Sequence, residues 1–234
     1  MTDPAASAAP GPPTSRWRRL RSIEGAAVAG ILAAAGWAVA LVGLLGIPGP
    51  DASDAEIEAH YAGLAGSSRA LIYLQVMVVA TIAFLWFVGV IRHRIGIQEP
   101  KLFGTVFLGS GILLAGLLFV GVANAATPAV LVGESDRVVD ADLAASTRIT
   151  ARIILAVIVP RIASVFIIST STLALRTGTM STWFVTVSYL TGFALLLNVT
   201  FAEPSIYVFP IWMAAVSLYL LLLSSELDDA TPKP

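Results

Sequence analysis

Six apolar runs dominate this chain. A run of about 20 residues with few charges is what a helix needs to cross roughly 30 Å of hydrocarbon. Within lipid every backbone polar group must be satisfied internally, which leaves helices or a closed barrel as spanning structures. The runs fall at 23–47, 70–91, 102–125, 149–175, 182–201 and 205–223. Charged residues are only 12% of the chain and hydrophobic ones 57%, whereas a soluble domain carries about a quarter charged. The expected fold is therefore all-α: a polytopic membrane helical bundle with six transmembrane helices. It forms one membrane domain over 22–224, between a disordered basic tail (1–21) and a polar C-terminal tail (225–234).

The fourth run is the unusual one. It carries Pro160 and Arg161 near its middle, and a charge at that depth normally faces the bundle interior or a wet cavity. Pro160 lacks an amide hydrogen and its ring crowds the carbonyl of Ala156, so a helix kink is expected there. Helical side chains lean toward their own N-terminus, which directs Arg161 toward the outer half of the membrane. Gln75, Asn124 and Asn198 each lie near the outer end of their own run. With Arg161 they form a candidate ligand-binding cluster drawn from four helices. Two roles compete for Arg161. In one it is satisfied internally by backbone carbonyls, amide side chains or Glu203, and locks the bundle. In the other it binds a lipid phosphate or an anionic ligand.

Small residues prepare helix contacts. In the first run Gly25, Ala29 and Ala33, and Gly36 and Ala40, recur at four-residue spacing, which lets another helix approach closely. Gly109, Gly116 and Ala123 follow heptad spacing in the third run, and this stripe is expected to face the first helix. Between the first two runs, Ser53 and Glu56 have capping-box spacing and open a short helix whose Ile57, Tyr61 and Leu64 share a face. Thr127 to Thr147 is read as an acidic loop.

Arg16, Arg18, Arg19, Arg21, Arg92, Arg94, Lys101, Arg176 and Lys233 fall on one side of a six-span topology. Lys and Arg mark cytoplasmic loops, so both termini are expected in the cytoplasm, with the plasma membrane as the location. Trp17, Trp86 and Trp183 are expected at the inner boundary, and Tyr61, Tyr207 and Trp212 at the outer one.

Catalytic chemistry has little support. There is no cysteine, and the two histidines, His60 and His93, are expected on opposite sides of the membrane. No nucleophile elbow, zinc-helix or phosphate-cradling glycine motif appears. The serines and threonines of the fourth run read as packing or backbone-bonding groups. Asp54 with Glu58, or Glu56 with His60, lack the ligand number a metal needs. No catalytic residue, metal site or cofactor is expected, and the net charge of −1 gives no case for nucleic acid. The expected partners are membrane lipids and a second copy or another membrane protein.

Several strings resemble a family of uncharacterised six-helix integral membrane proteins of actinobacteria. They are the second run from Ile72-Tyr73-Leu74-Gln75, GTVFLGSGILLAGLLF (104–119), RIASVFIISTSTLALRTG (161–178) and FPIWMAAVSLYLL (209–221). The Arg176-Thr177-Gly178 turn before Trp183, and the Phe209-Pro210-x-Trp212 start of the last helix, are the more specific features. Where that family has a proline and a basic residue before the turn tryptophan, this chain has Ser181-Thr182. The resemblance implies the membrane class and no activity. The leading functional reading is a structural or accessory bundle whose outer-half polar cluster binds lipid or a partner. The alternative is a small-solute or anion transporter or channel that uses Arg161.

Overall fold

The computed structural model describes residues 14–45, 53, 55–56, 59, 69–95, 101–135, 141–198 and 204–229. They are helical almost throughout, in the order α1 (Thr14–Leu45), α2 (Arg69–Ile95), α3 (Lys101–Ser135), α4 (Ala141–Arg152), a π-helical segment (Ile153–Ile158), α5 (Val159–Thr177), α6 (Thr182–Leu197) and α7 (Ser205–Asp229). Five stretches are long and apolar enough to cross a membrane, one of them running through α4, the π segment and α5; α6 is a shorter apolar helix. The helical membrane-bundle class holds.

Helix α1 packs against α2 and α7, α2 against α3, α3 against α4 and α5, and α5 against α6. The axis is filled by rings from five of these helices: Trp37 of α1, Phe84 of α2, Phe107 of α3, Phe166 of α5, and Phe209 with Trp212 of α7. Centroid separations are 5.1 Å for Trp37–Phe84, 5.3 Å for Phe84–Phe166 and 5.0 Å for Phe107–Phe166. The first pair is tilted, the second edge-on and the third stacked, and each such pair stabilises by about 0.5–1.5 kcal/mol beyond burial.

Two sequence expectations about faces change. The Gly109–Gly116–Ala123 stripe does not face α1: all three are exposed, and nothing lies within 4 Å of a Cβ built on either glycine. The opposite face of α3 carries Phe107, Leu114, Leu118 and Val122, all buried, and these bulky groups set the orientation of the helix. Gly111 lies against Phe166 and Val88, and Gly121 against Leu155. The small residues of α1 do make a close contact: a Cβ on Gly36 would lie 2.6 Å from that of Ala80. Trp212 is likewise no interfacial aromatic. It is 6% exposed and its indole donates to Ser188 Oγ at 3.0 Å. Trp86 and Trp183, 70% and 73% exposed, do look outward.

Several boundaries also differ. Helix α1 begins at Thr14, inside the stretch read as a tail, and α7 runs to Asp229. The Thr127–Thr147 loop is mostly helix, because α3 continues to Ser135 through Pro128 and α4 starts at Ala141. At 1.5 Å per residue α3 is roughly 52 Å long, well beyond about 30 Å of hydrocarbon. Arg176 lies over the Phe103 ring at 4.5 Å, which aligns the start of α3 with the end of α5. The excess length therefore stands at the other end, as a hairpin of α3 and α4 closed by small buried residues such as Ala129 and Ala144. Hydropathy marks where lipid ends, and these helices continue past it.

The Ser53–Glu56 capping box is present. The Ser53 amide donates to Glu56 Oε2 at 2.9 Å and the Glu56 amide to Ser53 Oγ at 3.4 Å. These bonds hold the fully exposed Glu56 carboxyl below its ordinary pKa. The expected face of Ile57, Tyr61 and Leu64, and the pairs that involve Asp54, Glu58 and His60, lie outside the described residues.

Candidate functional site

Pro160 shapes the site. An α-helix would close residue 160 onto the Ala156 carbonyl and a π-helix onto that of Leu155; proline does neither. The chain widens into a π segment just before it, in which the Val159 amide bonds the Ile154 carbonyl, and the α register resumes from Val159. Proline is thus accommodated at the first turn of α5, where a missing amide costs least. The Ala156 carbonyl accepts a long hydrogen bond from Ser205 Oγ at 3.5 Å. Ser205 opens α7, so the irregular turn is tied to the last helix.

One step on, Arg161 is half-buried. Its Nη1 donates back to the Val157 carbonyl, four residues N-terminal, and Nη2 donates to the Asn198 carbonyl at 2.9 Å. The side chain therefore leans as the helix geometry requires. Asn198 is the C-cap of α6, with an extended ψ of 106°. The last carbonyls of a helix have no partner within it, and a cation there also meets the negative end of the helix dipole. Arg161 caps the end of α6 with its guanidinium. Among the described residues its partners are carbonyls, not carboxylates; Glu203 lies outside those residues.

The four predicted site residues fare differently. Arg161 and Asn198 come together through the Asn198 backbone. Asn124 turns to its own helix, with Nδ2 donating to the Val120 carbonyl at 2.8 Å. Gln75 sits at an exposed position of α2, a helix that packs on α1 and α3. Ser164 and Ser171, which continue the Arg161 face, donate to the carbonyls of Arg161 (2.7 Å) and Ile167 (2.8 Å). Thr170 and Thr172 bond their own helix in the same way. These hydroxyls satisfy themselves locally, as Ser and Thr do in membrane helices.

Sequence reasoning missed the polar pairs that cross between helices. Trp37 Nε1 donates to Thr81 Oγ1 at 3.1 Å, joining α1 to α2. The Thr172 and Tyr189 hydroxyls pair at 2.8 Å between α5 and α6. The Ser181 amide donates to the Tyr219 hydroxyl at 2.9 Å. Each is one indole, phenol or hydroxyl in an apolar run, and only its depth relative to a partner on another helix marks it. Among the described residues no three His, Cys, Asp or Glu side chains gather as a metal site would require. Compared with known protein families, curated proteins and solved structures, the chain matches none.

Proposed function

We propose that this chain is a non-enzymatic structural or accessory protein of the plasma membrane, and that Arg161 is an internal staple rather than a ligand-reading group. The kinship with small six-helix membrane proteins of actinobacteria belongs to the same proposal and rests on the strings quoted above. The observation that carries it is the hydrogen bond from Arg161 to the Asn198 carbonyl at 2.9 Å. It commits the guanidinium to the end of a neighbouring helix. Phe166 lies five residues further along α5, roughly 7.5 Å deeper, within the ring cluster that occupies the axis. An anion bound at Arg161 would meet those rings, not a polar path. Such a bundle works through what it holds at its faces and ends: lipid, another membrane protein or a second copy.

The test pairs transport with stability. Purified protein in liposomes should take up small anions no faster than empty liposomes. Arg161→Leu takes the guanidinium from the Asn198 carbonyl at a cost of about 1–3 kcal/mol, so it should unfold at a lower temperature, with Arg161→Lys intermediate. Anion uptake by the wild type that Arg161→Leu abolishes, with stability unchanged, would overturn the proposal in favour of the transporter.

A further inference from the structure

At the other end of α5 the bundle is not filled. A cavity of about 230 Å³ lies between α1, α2, α5 and α7. Its walls are Ala26 of α1, Phe87 and Ile91 of α2, and Val216 and Leu220 of α7. Thr170, Ala174, Thr177 and Thr179 line the side formed by α5 and the turn that follows. A dry apolar cavity of about 150 Å³ already admits a benzene ring, so this space accepts a longer hydrocarbon segment. From Thr170 to Thr177 it follows α5 for roughly 10 Å, a slot rather than a pit.

Apart from Thr170, whose hydroxyl is spent on the Phe166 carbonyl at 2.7 Å, the polar groups sit at one end of the slot. Thr177 Oγ1 donates to the Leu173 carbonyl at 2.9 Å and pairs with Thr179 Oγ1. The Gly178 and Thr179 amides are spent on the Leu175 and Ala174 carbonyls. The donors of Thr177, Gly178 and Thr179 are thus spent within the turn. Positive charge stands near that end: Arg92 directly follows the wall residue Ile91, and Arg176, whose guanidinium lies over the Phe103 ring of α3, directly precedes Thr177; both are exposed. An apolar slot that ends in hydroxyls beside two arginines matches an amphiphile with one chain inside and an anionic head outside.

We propose that this cavity holds one acyl chain of an anionic lipid, whose head lies beside Arg92 and Arg176. The chain comes from an anionic phospholipid or from a free fatty acid, since the chemistry is shared. Thr177 lies 16 residues from Arg161, roughly 24 Å along the helix, so this site stands or falls separately from the Arg161 staple.

The experiment is native mass spectrometry of protein extracted from vesicles of phosphatidylglycerol and phosphatidylcholine in equal amounts, with oleate added. The wild type should retain one phosphatidylglycerol or one oleate; the adduct mass tells which source supplies the chain. Ala174→Phe fills the slot and should lower retention at least about tenfold. The double variant Arg92→Gln, Arg176→Gln should bind phosphatidylglycerol and phosphatidylcholine equally. Added phosphatidylglycerol should also raise the unfolding temperature of the lipid-free wild type, as any ligand of the folded state does; this measurement stands even if the filling variant does not fold. No retained lipid, equal retention of both phospholipids by the wild type, undiminished retention by a folded Ala174→Phe, or no stabilisation would each overturn the proposal.

Discussion

At the residue scale, the most exacting contact pairs Gly30 of α1 with Ser217 of α7. A Cβ on Gly30 would clash with Ser217 Oγ and come within 3.1 Å of the Phe87 ring. The Ser217 hydroxyl is fully buried and has no hydrogen-bond partner among the described residues. Each residue therefore has a distinct consequence. Gly30→Ala forces two helices apart and should destabilise by about 1–3 kcal/mol, the usual cost of overpacking. Ser217→Ala removes a stranded hydroxyl, whose burial costs about 1–3 kcal/mol, and should raise stability. The double variant should recover part of the Gly30→Ala loss, because the clashing atom is gone. Thermal unfolding of the four proteins in one detergent checks the cycle; strictly additive effects would mean the two residues do not meet.

At the scale of the helical element, the π segment and Pro160 make a single device. Ser205 matters because Pro160 cannot fill the Ala156 carbonyl. Ser205→Ala should cost about 0.5–1 kcal/mol, the low end for a lost hydrogen bond, since the bond is long at 3.5 Å. In a Pro160→Ala background the amide at 160 can close onto Ala156, and the same change should cost close to nothing. A double-mutant cycle read by unfolding temperature measures that coupling; equal costs in both backgrounds would disprove the link. The sequence shows half of this device. Proline, the Ala156 carbonyl it cannot fill and the lean of Arg161 toward the N-terminus of its helix follow from local geometry, which the chain carries residue by residue. The partners do not, because Ser205 and the Asn198 backbone are defined by where another helix begins or ends. The same limit explains the glycine stripe of α3. Spacing shows which residues share a face, but the competition of Phe107 and Leu114 for the interior decides where that face points. Helix ends beyond the lipid were hidden for a third reason: composition turns polar at the water boundary while the paired α3 and α4 backbones stay helical.

At the scale of the whole molecule, the open point is whether α6, with 16 residues, counts as a crossing. At roughly 24 Å it is shorter than about 30 Å of hydrocarbon, yet its ends are pinned at two levels. Its start lies beside Tyr219, toward the end of α7, through the Ser181 amide. Its end lies at Arg161 through the Asn198 carbonyl. Ser205, where α7 begins, lies at Ala156 on that second level. Helix α6 thus traverses the height that α5 covers from Arg161 to Thr177, and α7 returns through the same height; a slight thinning of the bilayer accommodates the shortfall. Trp37 meets Phe209 at 5.4 Å, while Gly30, earlier in α1, meets Ser217, later in α7; the two helices therefore run antiparallel, which puts the start of one and the end of the other on one side. Arg92 and Arg176 belong to that side, and the proposed topology, which follows the rule that Lys and Arg mark cytoplasmic loops, puts it in the cytoplasm. The chain has no cysteine, so single-cysteine variants report sidedness cleanly. In intact cells a membrane-impermeant maleimide should label Ser53→Cys, which lies between the first two spans, and leave Ser225→Cys, near the end of α7, unlabelled until the membrane is opened. Labelling of both in intact cells would mean an odd number of crossings and would remove α6 from the membrane. The reverse pattern would keep six crossings and invert the bundle, leaving its arginines outside.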